Sequence, residues 1–322
     1  MPFPAFVLCV LTLLSLSAKA IAEFNPPPTL EETGLMDENR LPGPGVRAFG
    51  VRFPLWTDGA EKIRYLRLPA GTTIDNSDDD QWRFPEGSTL WKEFRVQGKT
   101  VETRVMHRQD GRWHFFTYNN QPDGSTALVE EGLPDRAMLD ADKGITFDIP
   151  PQPLCENCHN TMEPLGFDLV QQSGGAMQDG NAGRTGLQGI RDLLRYPVRE
   201  RSLSRARMDH LPRAEAALTG WLHGNCSSCH NPKGNAAWFN LRHLVGQEGR
   251  EVLPALVNAP SLYPGRVRVV PGQPDRSFLL QRVGTRSNID GLPPMPAFGS
   301  KIVDHGAVQA LRTWIRSLPE SR

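Results

Sequence analysis

Two short stretches limit what this chain can become: Cys155-Glu156-Asn157-Cys158-His159 and Cys226-Ser227-Ser228-Cys229-His230. Each sets two thiols on one turn with a histidine straight after the second, the spacing by which a c-type haem is held covalently. The thiols add to two vinyl groups on one edge of a porphyrin, and the imidazole that follows lies under the iron as proximal ligand. Other readings fit less well. Zinc sites made from paired CxxC units usually keep the halves ~15–20 residues apart, whereas Cys158 and Cys226 are 68 positions apart. A redox dithiol needs no histidine after it. Of five cysteines, the fifth is Cys9, so none remains for a structural disulfide. The motifs predict two haem c groups, anchored at Cys155, Cys158, Cys226 and Cys229, with His159 and His230 on the irons.

A chain of 322 residues has room for two or three domains. Its 36 basic and 36 acidic residues balance, which gives no electrostatic case for nucleic acid or an anionic membrane surface. The 28 prolines and 30 glycines fit loop-rich modules whose core is partly the cofactor. At the start, an apolar run from Ala5 to Ala18 precedes two small-x-small sites, Ala18-Lys19-Ala20 and Ala20-Ile21-Ala22. This pattern predicts a signal peptide over residues 1–22 and a periplasmic protein. The run is too short to span a membrane, and Cys9 lies inside it rather than at its end, which argues against lipid attachment. No stable membrane span is expected in the mature form. Residues 23–49, with Pro26-Pro27-Pro28 and Leu41-Pro42-Gly43-Pro44-Gly45, read as a Pro-rich extended arm.

Residues 50–150 read as β. Val101, Thr103 and Val105 alternate with Glu102, Arg104 and Met106, and Trp113 and Phe115 alternate with His114, Phe116 and Tyr118. Gln109-Asp110-Gly111 between them signals a hairpin. Further strands are expected at 62–68, 90–96 and 144–150. A three-residue turn would pair His107 with Trp113 and His114 with Met106, on opposite faces, which argues against a shared metal. The acidic run 75–80 could be a calcium loop only with a glycine at its sixth place, which is Asp80. A solvated turn is the better reading.

Residues 151–212 form the expected first haem module, with a short helix over 187–196 followed by a basic loop. The iron's distal ligand there stays open between Met208, whose distance from the motif suits a small cytochrome, and Met177. Met162 lies too close to the attachment turn, His210 and His223 are outsiders, and an empty sixth site is a further alternative. The second module, 213–322, has a helix over 213–223 running into Cys226 and a closing helix over 304–318. Between them, the loop Leu292-Pro-Pro-Met295-Pro-Ala-Phe-Gly299 presents one methionine, 65 positions after His230.

Helix, CxxCH, proline-flanked methionine and last helix resemble a class I cytochrome c module. That resemblance implies His230 below the iron, Met295 above it, and the Gly220/Trp221 region packed against Trp314. Arg266 and Arg268 are candidate partners for haem carboxylates. A thioether opposite an imidazole raises the potential, which suits electron relay. The chain from 50 to 322 also resembles a family of secreted bacterial dihaem c-type cytochromes, mostly uncharacterised. The matching stretches include Phe53-Pro-Leu-Trp-Thr-Asp-Gly-Ala-Glu-Lys62, Phe84-Pro-Glu-Gly-Ser-Thr-Leu-Trp-Lys92, Glu102-Thr-Arg104 and Pro271-Gly-Gln-Pro-Asp-Arg-Ser277.

The expected fold is therefore multidomain α+β: an N-terminal β-sandwich-like domain, then two small, mainly α-helical cytochrome c-type modules. The expected function is electron transfer between envelope redox partners, with a dehydrogenase as donor docked by the β-domain and an oxidase or cytochrome as acceptor. The alternative is a dihaem peroxidase-like enzyme with an open distal site at the first haem. No catalytic residue can be named for it.

Overall fold

The computed structural model describes residues 24–39, 41–159, 164–174, 186–245 and 251–320. The expected signal peptide, Met162 and Met177 lie outside the described residues. Alternating apolar and polar residues make six strands that pair antiparallel in chain order: β1 (Arg47–Phe49), β2 (Glu61–Arg67), β3 (Thr89–Val96), β4 (Lys99–Gln109), β5 (Arg112–Asn120) and β6 (Thr126–Val129). β7 (Leu133–Asp140) and β8 (Ile145–Ile149) form a separate hairpin. It packs on the end of the sheet through Phe94, Phe147 and Ile149.

The β4–β5 turn differs from expectation by one residue. Gln109 pairs with Arg112, and Asp110 and Gly111 take φ of 52° and 75°, the positive values a two-residue type I′ turn requires. His107 therefore faces His114 directly, on the same face of the sheet. The arm's Phe24 ring stacks on both, at 5.6 and 4.3 Å.

That face carries Tyr65, Trp91, Val105 and Phe116, and the arm covers it with Leu30 and Leu35. Trp91 Nε1 donates to the Thr33 hydroxyl at 2.9 Å, and the Tyr118 hydroxyl donates to the Pro27 carbonyl at 2.6 Å. The opposite face offers Leu66 and Leu90 to Phe167, Leu169, Ile190 and Met208 in one apolar core.

This arrangement corrects the expected fold class. The protein is a β-rich antiparallel structure of six plus two strands, not a β-sandwich followed by two mainly helical modules. An extended arm and residues 167–170 and 187–216 cover the sheet's two faces, so no second sheet is needed. After residue 150 the described helices are α1 (Pro153–His159), α2 (Leu169–Gln172), α3 (Gly186–Ile190), α4 (Glu200–Arg207), α5 (Arg213–Cys226), α6 (Phe278–Val283) and α7 (His305–Ser317). Only α5 and α7 run beyond eight residues. Prolines at 232, 254, 260, 264, 271 and 274 interrupt the stretch between α5 and α6, where each removes a donor and clashes with helical backbone. The expected basic loop after 196 instead contains α4. The acidic run is a tied-down turn: Asp75 accepts from the Ser77 backbone N–H at 3.0 Å, and Asp80 accepts from Val245 N–H at 2.7 Å. No described helix is long and apolar enough to cross a membrane.

Candidate cofactor sites

α5 is rich in alanine and leucine, which favour helix, and carries the second motif at its C-terminal end. Gly220 and Gly224 sit one turn apart and make room for the segment that starts at Phe53. A Cβ on Gly220 would lie 2.1 Å from the Phe53 ring, and one on Gly224 would lie 2.2 Å from the Phe53 carbonyl oxygen. Phe53, rather than the expected Trp314, thus fills the open side of Gly220. Trp221 and Trp314 do share one apolar core with Leu218 and Leu222. Beyond the helix, the Cys229 and His230 N–H groups both donate to the Cys226 carbonyl, at 3.2 and 2.9 Å. The Asn231 amide donates to the Ser227 and Ser228 carbonyls at 2.8 and 3.0 Å, serving groups that a helix end leaves without partners.

Beside this turn lies a cavity of about 300 Å³, at the lower end of the ~300–1,000 Å³ usual for small-molecule sites. Cys226, Cys229, His230 and Met295 line its wall, with Leu241 and Phe278 among the apolar side chains there. The His230 ring packs on Phe239 at 4.3 Å, and burial pushes its pKa down to about 4. The imidazole is therefore neutral, the form that binds a metal. Its Nδ1 has no hydrogen-bond partner.

Arg282, also on the wall, is 5% exposed, and its Nε and Nη2 are buried without partners. A buried cation without an anion is costly, and a haem brings carboxylates on its edge. Arg268 joins it on the wall, 4.3 Å from the Phe239 ring centroid, whereas Arg266 is not among the lining residues and pairs with Asp290. Paired thiols, a neutral imidazole, a thioether and an orphaned guanidinium on one cavity form the donor set a haem needs. Trp238, Leu262 and Phe298 stand exposed on the cavity's lining.

Remote residues hold the Met295 loop. Met295 N–H donates to the Arg282 carbonyl at 2.9 Å, and the Arg286 guanidinium donates to the Met295 and Pro296 carbonyls and the Ser300 hydroxyl. The Asp58 carboxylate accepts from Lys301 and Ile302 N–H at 2.8 and 2.7 Å, and Trp56 Nε1 donates to the Ile302 carbonyl at 2.8 Å. Asn225, next to Cys226, accepts from Trp56 N–H at 2.7 Å. The 53–58 strap therefore ties the attachment helix to the methionine loop.

The first motif lies on the seven-residue α1, whose C-terminal residue is His159. The His159 ring packs against Phe115 of β5 at 5.3 Å. Burial, with Lys92 and Arg104 nearby, pushes its pKa down to about 3, so this imidazole is also neutral, and its Nδ1 is unpartnered. Met208 is 1% exposed and lies in the core under the sheet with Ile190 and Leu187. His210 is exposed, 3.7 Å from Glu251. His223 pairs with the buried Asp168 at 3.2 Å.

The two motifs meet. Cys158 lies on the wall of the cavity lined by His230 and Met295. The proximity of the two thiols pushes Cys158 up and Cys229 down. The Asn157 carbonyl is 3.8 Å from Cys229 Sγ and accepts from the Asn235 amide at 3.1 Å. Among the described residues no three His, Cys, Asp or Glu side chains converge to hold a bare metal ion.

Sequence reasoning missed Arg282, Arg286, the strap's tethering role and the sheet residues around His159. The only advance signal was that Lys92, Glu102 and Arg104 sit at alternate strand positions in matching stretches. Compared with protein-family models, with curated proteins and with solved structures, the chain matches none.

Proposed function

We propose that this chain is an exported c-type cytochrome that carries two haems and passes electrons between redox partners in the cell envelope. One observation carries the reading: the two motifs adjoin, with Cys158 on the wall of the cavity that Cys229 and His230 line and the Asn157 carbonyl 3.8 Å from Cys229 Sγ, so two haems held by them would be neighbours. A haem's iron supplies the one-electron chemistry. The residues of the chain supply the rest. His230 and Met295 line one cavity, and an imidazole–thioether pair on an iron there would favour its reduced form and close it to other ligands. Arg282 and Arg268 bring positive charge to the place where carboxylates of the group would sit. The exposed Trp238, Leu262 and Phe298 offer an apolar rim through which a partner could approach a haem edge.

Absorption spectra of the purified envelope protein, with a haem count and added carbon monoxide, test this reading. Two covalent haems, both low-spin and inert to carbon monoxide, are expected. One high-spin, ligand-reactive haem would turn the reading towards an enzyme. Fewer than two covalent haems would end it.

A further inference from the structure

Registers across four strands place a row of polar side chains on the face that His159 packs against. Arg64 of β2 lies opposite Lys92 of β3, Lys92 opposite Arg104 of β4, and Arg104 opposite Thr117 of β5. Phe115, whose ring contacts His159, is the next inward residue of β5 after Thr117. On the other side of the row come Lys62, Phe94 and Glu102.

Lys62, Arg64, Lys92 and Arg104 lie on this face beside the carboxylate of Glu102, and Lys62 and Arg64 have partners of their own. Glu102 is 0% exposed and holds Arg104 through two bonds of 2.6 and 3.1 Å. Lys62 reaches the Leu55 carbonyl at 2.8 Å. Lys92 has its ammonium 5.1 Å from the Phe94 ring centroid and takes no carboxylate within ion-pair distance among the described residues. Burial, followed by repulsion from Arg64, Arg104 and Lys62, holds its pKa well below the ordinary lysine value. Lys92 and Arg104 are close enough to the first motif to act electrostatically on Cys155 and His159. A cation kept inside a strand face, beside two thiols and an imidazole that fit a haem, lacks an anion in that place.

We propose that Lys92, flanked by Arg104, is the charge partner of a carboxylate of the haem held by Cys155 and Cys158, so that the β-sheet forms a wall of the first haem site. The inference rests on the dihaem reading above. It gives the sheet a task different from docking a donor: it sets the first haem's potential by placing positive charge beside it. A nearby cation disfavours the ferric form, which carries one more positive charge than the ferrous.

Lys92→Gln and Lys92→Arg, each followed by a haem count and a spectrally resolved redox titration, test the proposal. In Lys92→Gln, two haems should remain. The reduction equilibrium of one should shift about tenfold towards the oxidised form, which is about 59 mV downward for a one-electron couple. Lys92→Arg, which keeps the charge, should leave both potentials close to wild type. Lys92→Met removes the same charge while keeping an apolar stem, and serves if the glutamine variant does not accumulate. Unchanged potentials in a charge-removing variant with two haems would overturn the proposal. So would a change of iron spin state on losing the amine, since Lys92 would then be an iron ligand. A wild-type protein lacking the haem on Cys155 and Cys158 would instead overturn the reading beneath it, and this proposal with it.

Discussion

The two proposed haem sites carry the same five-residue pattern and are built in different ways. The Cys226–His230 site is assembled largely from helices and loops that flank its motif, out to Met295, 65 positions after His230. A 14-residue helix leads in, and a loop, a short helix and the Met295 loop close the cavity. The Cys155–His159 site hangs on a seven-residue helix and takes its surroundings from β3, β4 and β5, some 40 to 60 positions earlier in the chain. The motif is the same in both, while the rest of each site depends on what the fold brings to it. A site closed by a loop with its own local pattern, such as the proline-flanked Met295, can be read from a sequence, and a site closed by a sheet face cannot until the register is known.

The largest effect should come from breaking the core beneath the sheet face that His159 packs against. Trp82, 1% exposed, belongs to the cluster that joins Leu66 and Leu90 to Phe167 and Ile190. Trp82→Ala should cost about 3–5 kcal/mol. Chemical denaturation followed both by circular dichroism and by haem absorbance should show the sheet and the first haem failing together. A first haem that keeps its native spectrum while the sheet melts would separate two regions described here as one.

Next in size is Gly224→Ala, which drives a methyl group against the Phe53 backbone, a neighbour that cannot rotate away. Overpacking of this kind costs about 1–3 kcal/mol. Because Gly224 lies two residues before Cys226, the second haem should be the first to lose its native spectrum on heating. Met295→Leu sharpens the comparison further. Near-conserved volume limits the stability loss to below about 1.5 kcal/mol, while the potential of one haem should fall and the other should hold. A titration in which neither haem responds would remove Met295 from the iron.

Asp58→Ala should be milder, on the order of 1–2 kcal/mol, as for loss of a side-chain acceptor serving backbone N–H groups. Its effect should reach the Met295 loop through Lys301 and Ile302, so the methionine–iron absorption band should weaken on warming at a lower temperature than in wild type. The smallest effect at neutral pH concerns Asp168. Burial opposes its ionisation, but the His223 partner and the Gln171 N–H group outweigh burial and hold its carboxyl below the ordinary carboxylate value. A depressed carboxyl contributes stability above its unfolded pKa, ~3.9, and loses it as pH falls through the lower folded value. Acid unfolding should therefore steepen below about pH 4, and Asp168→Asn should flatten it, as read by unfolding midpoints across that range.

Much of the second site was legible: the CxxCH spacing, the helix into Cys226 and the proline-flanked Met295 are local patterns. The strands from 61 to 120 were legible for the same reason, since alternation is local. β7 escaped because Pro134, Asp135 and Arg136 break its alternation and much of it is exposed. The His107–His114 pairing was misread by one residue because turn length, not strand pattern, fixes register. The sandwich expectation failed because the sequence says which residues are apolar and not what covers them. The arm reads as an extended segment on the surface, yet its Leu30, Leu35 and Thr33 help bury one face of the sheet. The charges of Lys92 and Arg104 were visible too, and only the register turns them into a row facing His159.

The contact between the two sites is tested most directly by electron paramagnetic resonance of the fully oxidised protein. Its spectrum should be compared with those of Cys155→Ser/Cys158→Ser and Cys226→Ser/Cys229→Ser, each of which should keep one haem. Two ferric haems held by adjoining motifs should interact, so the wild-type spectrum should differ from the sum of the two single-haem spectra. A wild-type spectrum equal to that sum would contradict neighbouring haems, and with them the relay.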